Sequence, residues 1–431
     1  MHIYFLGIGG AGIGPLALLA KQAGYEVSGS DKQNSEYIKH LRKKGIDSIT
    51  IGTAAKSIKA VHNKKPIDWV VYSSAVPMEN PDHPEIRFAK DNGIKTTKRD
   101  EFLNELIKSR RQKLIAVAGT HGKTTTTSIL IWLFKQLKVP VSYSGGGKLS
   151  FGDMAEFNPR SEYFVYEADE FDRNFLSFHP YIAVISGIDW DHPDIYPTRE
   201  EYNQAFRDFF NQSEYVIAHA DDLRRVGVKP NWKIFSPDKD NKLSNIHLTG
   251  EVNRKNAQLV LQAMAELVKE PYADLAKLVS SFPGVSRRFE EIAPNIYTDY
   301  AHTPEKIRGA LQLAREVAGD EVIVVYEGLH NTRQHFIKNE LPALFGGVKK
   351  LYIVPSYLAR EDKNLELLTP DKLRKITEHP PKREAAELND KLKKNIKRHA
   401  ERGDLVLCLS AGGGGSLDEW LRRVFGRASS K

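Results

Sequence analysis

The chain has 431 residues, 41% of them hydrophobic and 27% charged, which is typical of a soluble globular protein with about three domains. A single cysteine, Cys408, excludes an intramolecular disulfide and favours a reducing compartment, so we expect a cytoplasmic protein. No run of 18 apolar residues is present, and we expect no membrane partner. The net charge of +8 suits nucleic acid or small phosphorylated molecules. Since no nucleic-acid-binding motif accompanies that charge, we expect no nucleic acid partner.

The first segment has the order of elements that is typical of a dinucleotide-binding unit. An apolar strand at residues 2–7 precedes a glycine-rich turn, a helix to about Ala23 and a second strand that ends near Asp31. Glycines let the backbone approach a diphosphate closely, and an acid after the second strand can reach a ribose. We therefore predict a site for NAD or for a nucleotide-sugar diphosphate. Its predicted contacts lie in the turn, in the acid and after the strand at residues 67–72: Gly9, Gly10, Ala11, Gly12, Asp31, Ser73 and Ser74.

The second segment opens on a phosphate-binding pattern. A strand at residues 114–118 runs through a short glycine turn, a Lys-Thr pair and a threonine-rich helix start. Backbone N–H groups of such a turn and the positive helix end face an anion, the lysine adds charge, and the threonine hydroxyl can ligate Mg²⁺. The loop is shorter than the common one, because Val117 stands where that pattern has a glycine. We predict that nucleotide phosphates bind at Gly119, Thr120, His121, Gly122, Lys123, Thr124 and Thr125.

Two further strands of this segment end in polar side chains. Glu167 ends a strand at residues 163–167, and Asp191 and His192 follow a strand at residues 181–186. Ligands of open α/β sheets bind at the carboxyl ends of strands, and Mg²⁺ beside a nucleotide needs oxygen ligands. We therefore predict a metal site formed by Thr124 and Glu167, with His192 as a further ligand or as a group that orients the substrate.

A third segment starts at Phe282-Pro283-Gly284, where turn chemistry indicates a linker. It alternates strands and helices and ends in a strand at residues 404–409 followed by the glycine-rich stretch 410–416. This alternation predicts an open, mostly parallel sheet. We place the three domains at residues 1–110, 111–282 and 283–431.

Together these motifs resemble the Mur ligases, which are ATP-dependent amide-bond-forming enzymes of peptidoglycan precursor synthesis. The resemblance rests on GIGGAGIG, on Ser73-Ser74-Ala75-Val76, on AGTHGKTTTT, on the acids after the two strands, on an NxxNA element at residues 253–257 and on Arg287-Arg288-Phe289. It implies a three-domain α/β fold. The N-terminal domain would be Rossmann-like, the central one a P-loop ATPase-type domain, and the C-terminal one again Rossmann-like.

The resemblance also implies a reaction and its cofactors. ATP with Mg²⁺ would activate the lactyl carboxylate of UDP-N-acetylmuramate as an acyl phosphate, which L-alanine would attack. The protein would be a monomer or a weak homodimer. The family pattern assigns catalysis to Lys123, His192 and Arg288, further nucleotide contacts to Asn253, Asn256, Arg287 and Asp299, and further substrate contacts to His302 and Arg333.

Three places depart from the family pattern. Gly187 stands where an asparagine is expected, and Val252 stands where a histidine is often found. Residues 327–333 only partly match a Pro-His-Arg-containing segment. Residues 202–210 contain no lysine, which resembles the alanine-adding branch.

Alternative functions follow from single segments. Within the family, a ligase that recycles a stem tripeptide would suit the glycine-rich stretch 410–415, whereas residues 9–12 favour the alanine-adding branch. A non-catalytic UDP-sugar-binding relative is a further alternative. An NAD-dependent dehydrogenase would leave the phosphate loop unexplained, and a nucleotide-hydrolysing switch would leave the first segment without a role. Folate polyglutamylation uses a related core without this first domain.

Overall fold

The computed structural model describes residues 1–192, 195–237, 246–268, 270–358, 361–362 and 364–426. Within these residues the chain forms three β-sheets with helices between their strands. They divide between a larger unit, Met1–His247 with Lys255–Phe282, and a smaller unit, Leu248–Arg254 with Pro283–Lys431. Within the described ranges, no helix combines the length and the apolar character that crossing a membrane requires.

The first sheet, in the larger unit, has five parallel strands in the order β3-β2-β1-β4-β5. Its strands are β1 (His2–Leu6), β2 (Glu26–Asp31), β3 (Ile49–Ile51), β4 (Trp69–Tyr72) and β5 (Lys95–Lys98). Its helices are α1 (Gly14–Gln22), α2 (Glu36–Lys43), α3 (Ala55–Lys64), α4 (Ala75–Glu79), α5 (Pro84–Asp91) and α6 (Arg99–Ser109). Because the strand order reverses between β1 and β4, the glycine-rich turn after β1 and the serines after β4 flank one crevice.

A buried carboxylate ties α5 to the two strands that carry the glycine-rich turn. Glu85 is fully buried and accepts hydrogen bonds from Tyr4 Oη at 2.7 Å and from Ser30 Oγ at 2.8 Å. The carbonyl oxygen of Ser30 in turn accepts the N–H groups of Gly7 and Ile8, where the turn begins. Burial raises the pKa of Glu85 to about 7, although both hydrogen bonds act to lower it.

The second sheet, also in the larger unit, has seven strands in the order β12-β11-β10-β6-β9-β7-β8, and only β8 is antiparallel to its neighbour. Its strands are β6 (Lys113–Ala118), β7 (Val141–Ser144), β8 (Ala155–Glu156), β9 (Tyr163–Glu167), β10 (Ile182–Ile185), β11 (Tyr215–Ala218) and β12 (Ile234–Phe235). Its helices are α7 (Lys123–Gln136), a 3₁₀ helix (Phe171–Ser177), α8 (Arg199–Gln212), α9 (Ala220–Arg225), α10 (Glu251–Val268) and α11 (Tyr272–Ser280). The first residues of α10, up to Arg254, belong to the smaller unit. Since β6 lies between β9 and β10, the phosphate loop at residues 119–124 has the ends of both strands beside it.

The third sheet forms the smaller unit and has six strands in the order β13-β14-β18-β15-β16-β17, with only β13 antiparallel. Its strands are β13 (Glu290–Ala293), β14 (Ile296–Asp299), β15 (Val322–Leu329), β16 (Lys350–Tyr357), β17 (Arg383–Ala385) and β18 (Leu405–Leu409). Its helices are α12 (Pro304–Ala318), α13 (Asn331–Phe336), α14 (Leu341–Leu344), α15 (Pro370–Ile376), α16 (Asp390–Glu401) and α17 (Leu417–Phe425). The mostly parallel sheet predicted for this segment is therefore present.

The buried Glu85 predicts a pH dependence of stability. Its native carboxyl group keeps a proton up to about pH 7, whereas in the unfolded chain it ionises near 4.5. The native state thus binds more protons in this window, and raising the pH from about 5 to 8 should lower the free energy of unfolding by about 2–3 kcal/mol through this group. Glu85→Gln should lack that loss. Urea unfolding of both proteins at the two pH values measures it.

The matched control is Glu105→Gln, which alters a half-exposed carboxylate paired with Lys95 in the same domain. It should keep the pH dependence of the wild type. An equal loss of stability in the wild type and in Glu85→Gln would contradict the assignment.

Candidate phosphate and nucleotide-sugar sites

The phosphate loop needs both of its glycines. Gly119 and Gly122 have φ values of 138° and 79°, which side chains rarely adopt. A Cβ atom on Gly119 would lie 2.7 Å from the carbonyl oxygen of Gly187, and one on Gly122 would lie 2.7 Å from Oδ1 of Asn256. The loop is therefore packed on both sides before α7 begins at Lys123.

Lys123 begins α7 directly after this loop and has a buried counter-ion. Its Nζ donates to the carbonyl oxygen of Gly119 and to Oε2 of Glu170, both at 2.6 Å. The Glu170 side chain is only 1% exposed. Burial alone would lower the pKa of Lys123, but the negative charges of Glu170, Asp169 and Glu167 outweigh it and raise the pKa. The loop therefore holds a charged ammonium group, as phosphate binding requires.

Thr124 and Glu167 bring oxygen atoms together beside the lysine. Thr124 Oγ1 donates to Oε1 of Glu167 at 3.0 Å, and Gly146 N donates to Oε2 at 2.8 Å. The described residues contain no cluster of three or more His, Cys, Asp or Glu side chains arranged to hold a metal ion. Mg²⁺ on a nucleotide usually takes only one or two protein ligands besides phosphates and water. The hydroxyl and the carboxylate therefore fit such an ion.

His192 is brought to Glu170 rather than to Glu167. Its Nε2 lies 3.8 Å from Oε1 of Glu170 and 4.0 Å from Oδ2 of Asp191. The residue has a φ of 56°, and left-handed backbone at a residue other than glycine often marks a functional position. Lys123 and His192 thus share one carboxylate.

The side chains of Thr120 and His121 face the end of β10. Thr120 Oγ1 donates to the carbonyl oxygen of Asp189 at 2.5 Å, and the Tyr202 hydroxyl lies 2.7 Å from it. A Cβ atom on Gly187 would overlap the ring of His121. The departure from asparagine at this position therefore has a steric reason, because the ring occupies that space. Thr125 lies in the first turn of α7.

The two asparagines of the NxxNA element have different surroundings. Asn256 is buried against Gly122, and its Nδ2 has no hydrogen-bond partner among the described residues. Asn253 donates from Nδ2 to the carbonyl oxygen of Thr249 at 2.9 Å, within the smaller unit. A buried amide without a partner beside a phosphate loop fits an acceptor supplied by a bound nucleotide.

The glycine-rich turn of the first sheet is fixed by a side-chain hydrogen bond at its start and is exposed in its middle. Asp31 accepts the N–H of Gly9 at 2.8 Å, so its carboxylate shapes the turn. Gly10 and Ala11 are exposed. A Cβ atom on Gly12 would overlap the guanidinium group of Arg99, so this glycine makes room for an arginine.

The two serines after β4 lie at the same edge of the first sheet. Ser73 is half-buried there. Ser74 is buried and donates from Oγ to Oδ1 of Asn174 at 3.4 Å, in the 3₁₀ helix beside the phosphate loop. The structure therefore links the crevice of the first sheet to the acidic segment that follows β9.

In the smaller unit, a strained turn presents two arginines. Arg287 and Phe289 have φ values of 60° and 48°, and the guanidinium carbons of Arg287 and Arg288 lie 4.7 and 5.0 Å from the ring centre of Tyr300. Asp299 accepts the N–H of Phe289 at 2.7 Å. Burial raises the pKa of Asp299 to about 6, against the nearby arginines. Asp299 therefore holds the turn that carries the arginines.

The glycine-rich stretch at residues 410–416 is anchored by a buried acid at the end of β15. Glu327 is 3% exposed and accepts hydrogen bonds from Ser410 Oγ at 2.6 Å and from Leu417 N at 2.9 Å. Burial raises the pKa of Glu327. His302 contacts the carbonyl oxygen of Tyr300 through Nδ1 at 2.9 Å, and Arg333 lies in α13 after β15.

Sequence reasoning missed Glu170, Glu327 and Arg99. A charged residue near the end of an otherwise apolar strand was an available signal for Glu327. Glu170 was one of several acids in the loop after β9, and only its burial separates it from the others.

Three family models match the chain in order: the Mur ligase family catalytic domain at residues 2–111, the Mur ligase middle domain at 117–264, and the Mur ligase glutamate ligase domain at 287–412. The UDP-N-acetylmuramate–L-alanine ligase of Clostridium acetobutylicum is 30% identical over 95% of both chains. The enzyme of the same name from Acetivibrio thermocellus is 32% identical over 95% of this chain and 93% of its own. The chain belongs to the Mur ligase family.

Solved structures confirm the predicted three-domain α/β fold. The UDP-N-acetylmuramate–alanine ligase MurC of Thermotoga maritima matches with a TM-score of 0.74 at 25% identity, over 98% of both chains. A murein peptide ligase of Psychrobacter arcticus matches with a TM-score of 0.66 at 23% identity, also over 98% of both chains, and this second match shows the fold alone.

The Lys123–Glu170 pair predicts a strong coupling energy. Glu170→Gln would leave Lys123 in a buried position without its nearest counter-charge, which should cost about 3 kcal/mol of unfolding free energy. In Lys123→Met/Glu170→Gln no charge is left unpaired, so the double variant should lose clearly less than the sum of the single losses. Urea unfolding of all four proteins gives the cycle.

An exposed pair on the same sheet is the control. Glu162→Gln removes the partner of Lys113, and it should change the free energy of unfolding by less than about 0.5 kcal/mol. Additive losses for Lys123→Met and Glu170→Gln would refute a coupled buried pair.

Proposed function

We propose that this chain forms an amide bond between the lactyl carboxylate of UDP-N-acetylmuramate and the amino group of L-alanine, with ATP as the energy source, in peptidoglycan precursor synthesis. The observation that carries the proposal is the charged lysine of the phosphate loop beside a hydroxyl–carboxylate pair suited to Mg²⁺. The names of the related enzymes support the choice of substrates.

The chemistry explains why a ligase needs such a loop. A carboxylate does not acylate amines, because its leaving group would be oxide. Transfer of the γ-phosphoryl group of ATP to the carboxylate oxygen gives an acyl phosphate, and attack by the amine then expels inorganic phosphate. The first step is accelerated mainly by positioning and by neutralisation of charge.

Several residues in and beside the loop have a proposed role in that step. Lys123 neutralises the outer phosphates of ATP, and Thr124 with Glu167 holds Mg²⁺, which supplies further positive charge when bound. His192, beside Glu170, would serve as a further metal ligand or orient the substrate. Asn256 uses its unpaired amide for the nucleotide.

The three substrates are assigned to the three segments that carry the three sheets. We propose that residues 1–110 bind the UDP part, residues 111–282 bind ATP, and residues 283–431 bind the amino acid. In the third part the proposed contacts are Arg287, Arg288, Asp299, His302 and Arg333. The enzyme is proposed to act in the cytoplasm as a monomer or weak homodimer.

Phosphate release from ATP and Mg²⁺ tests the proposal. The assay uses UDP-N-acetylmuramate with a panel of single amino acids and with the stem tripeptide. We expect release that requires both the UDP-sugar and L-alanine. Lys123→Ala should lower the rate to background while the protein stays folded by circular dichroism, because the loop loses its cation.

Other outcomes of this assay have definite meanings. Release only with the tripeptide would assign the recycling reaction. The anchored glycine-rich stretch at residues 410–416 would then be interpreted as a feature of that reaction. Release that needs no UDP-sugar would indicate a nucleotide-hydrolysing switch. UDP-sugar binding without any release would indicate a non-catalytic relative.

The Mg²⁺ requirement tests Glu167 separately. Glu167→Ala removes the carboxylate that accepts a hydrogen bond from the Thr124 hydroxyl, so the Mg²⁺ concentration for half-maximal rate should rise about tenfold or more. A Mg²⁺ titration at saturating ATP measures it. Glu162→Ala, at the surface before β9, should keep the wild-type titration. An unchanged titration in Glu167→Ala would remove this residue from the metal site.

A further inference from the structure

Arg99 places a cation at the edge of the first sheet where its ligand is expected. It directly follows β5 and begins α6. The carboxyl ends of β1, β4 and β5 share this edge, so the guanidinium group joins the glycine-rich turn and the two serines at one crevice. Its Nη1 lies so close to Gly12 that no side chain fits there.

The guanidinium group is largely buried, with a weak internal counter-ion. The Arg99 side chain is 17% exposed, and its Nη2 lies 3.7 Å from Oδ2 of Asp169, which is longer than a hydrogen bond. Asp169 is 40% exposed and also accepts the N–H of Phe171. A buried guanidinium group with one long ion pair has donors to offer to an anion.

The neighbouring residue, Lys98, has a closer ion pair than Arg99 has. Lys98 donates to Oδ2 of Asp172 at 3.1 Å, and this bond raises its pKa against the effect of burial. Two adjacent cations thus face two acids of the segment after β9. The lysine is paired within the chain, whereas the arginine keeps a distance from its acid.

We propose that Arg99 binds an anionic oxygen group of the nucleotide-sugar, either the diphosphate or the lactyl carboxylate. The inference deepens the proposed function and rests on it. The planar guanidinium group can donate two parallel hydrogen bonds to either anion, which a lysine cannot match. Gly12 is then required because it leaves space for this arginine beside the turn.

Affinity measurements by calorimetry test the proposal without catalysis. The ligands are uridine, UDP, UDP-N-acetylglucosamine and UDP-N-acetylmuramate. Arg99→Gln should weaken binding of UDP-N-acetylmuramate roughly tenfold to a hundredfold and leave uridine unchanged. An equal loss for UDP and UDP-N-acetylglucosamine assigns the diphosphate, and a loss confined to UDP-N-acetylmuramate assigns the carboxylate. Arg99→Lys should recover only part of the affinity.

Two control variants separate contact from indirect effects. Arg87→Gln removes an exposed arginine of α5, paired with Asp82, and should leave all four affinities unchanged. Asp169→Asn removes the acid near Arg99. It should not weaken UDP-N-acetylmuramate binding if Arg99 contacts the ligand, whereas an equal loss in Asp169→Asn would mean that Arg99 acts through Asp169 and would overturn the proposal.

The failure of this inference can be told from the failure of the proposed function. If the wild type binds UDP-N-acetylmuramate and Arg99→Gln binds it equally well, the role of Arg99 is wrong and the ligase proposal stands. If the folded wild type binds none of the four ligands, the UDP-sugar site itself is wrong, and the role of Arg99 falls with it.

Discussion

The candidate phosphate site depends on one buried carboxylate. Glu170 lies between Lys123 and His192, and the Tyr196 hydroxyl donates to its carbonyl oxygen at 2.6 Å, so both its side chain and its backbone are fixed. A lysine buried at the start of a helix would otherwise lose its proton to escape the cost of desolvation. The acid keeps the ammonium group charged, and the role proposed for Lys123 requires that charge.

Parallel sheets supply the second constraint, because they gather strand ends that are far apart in sequence. In the second sheet, β6 lies between β9 and β10, which brings the phosphate loop beside Glu167 and Gly187. In the first sheet, the same rule brings the glycine-rich turn after β1 close to Arg99 after β5, although the two strands are far apart in sequence. Most strands of these sheets have buried, apolar centres, so the candidate site residues collect where the strands end.

The sequence was sufficient to predict the three-domain α/β fold and the proximity of Thr124 and Glu167, because strand periodicity and strand ends are local signals. It could not rank Glu170 above its neighbouring acids, since burial depends on how the segment after β9 packs. It also could not reveal that Gly12 faces Arg99, because that contact joins two ends of one domain. Which residues bind which substrate stays a prediction for the same reason.

The packing of His121 against Gly187 means that two distant positions share a single volume. The family pattern combines this loop histidine with an asparagine at the second position, so the orientation of the histidine ring seen here depends on Gly187. A relative with a larger residue at the second position must turn its loop histidine elsewhere or replace it. If the two motifs are compared separately, a change at either position looks like the loss of a feature. If they are compared together, one side chain is seen to fill the space that the other leaves.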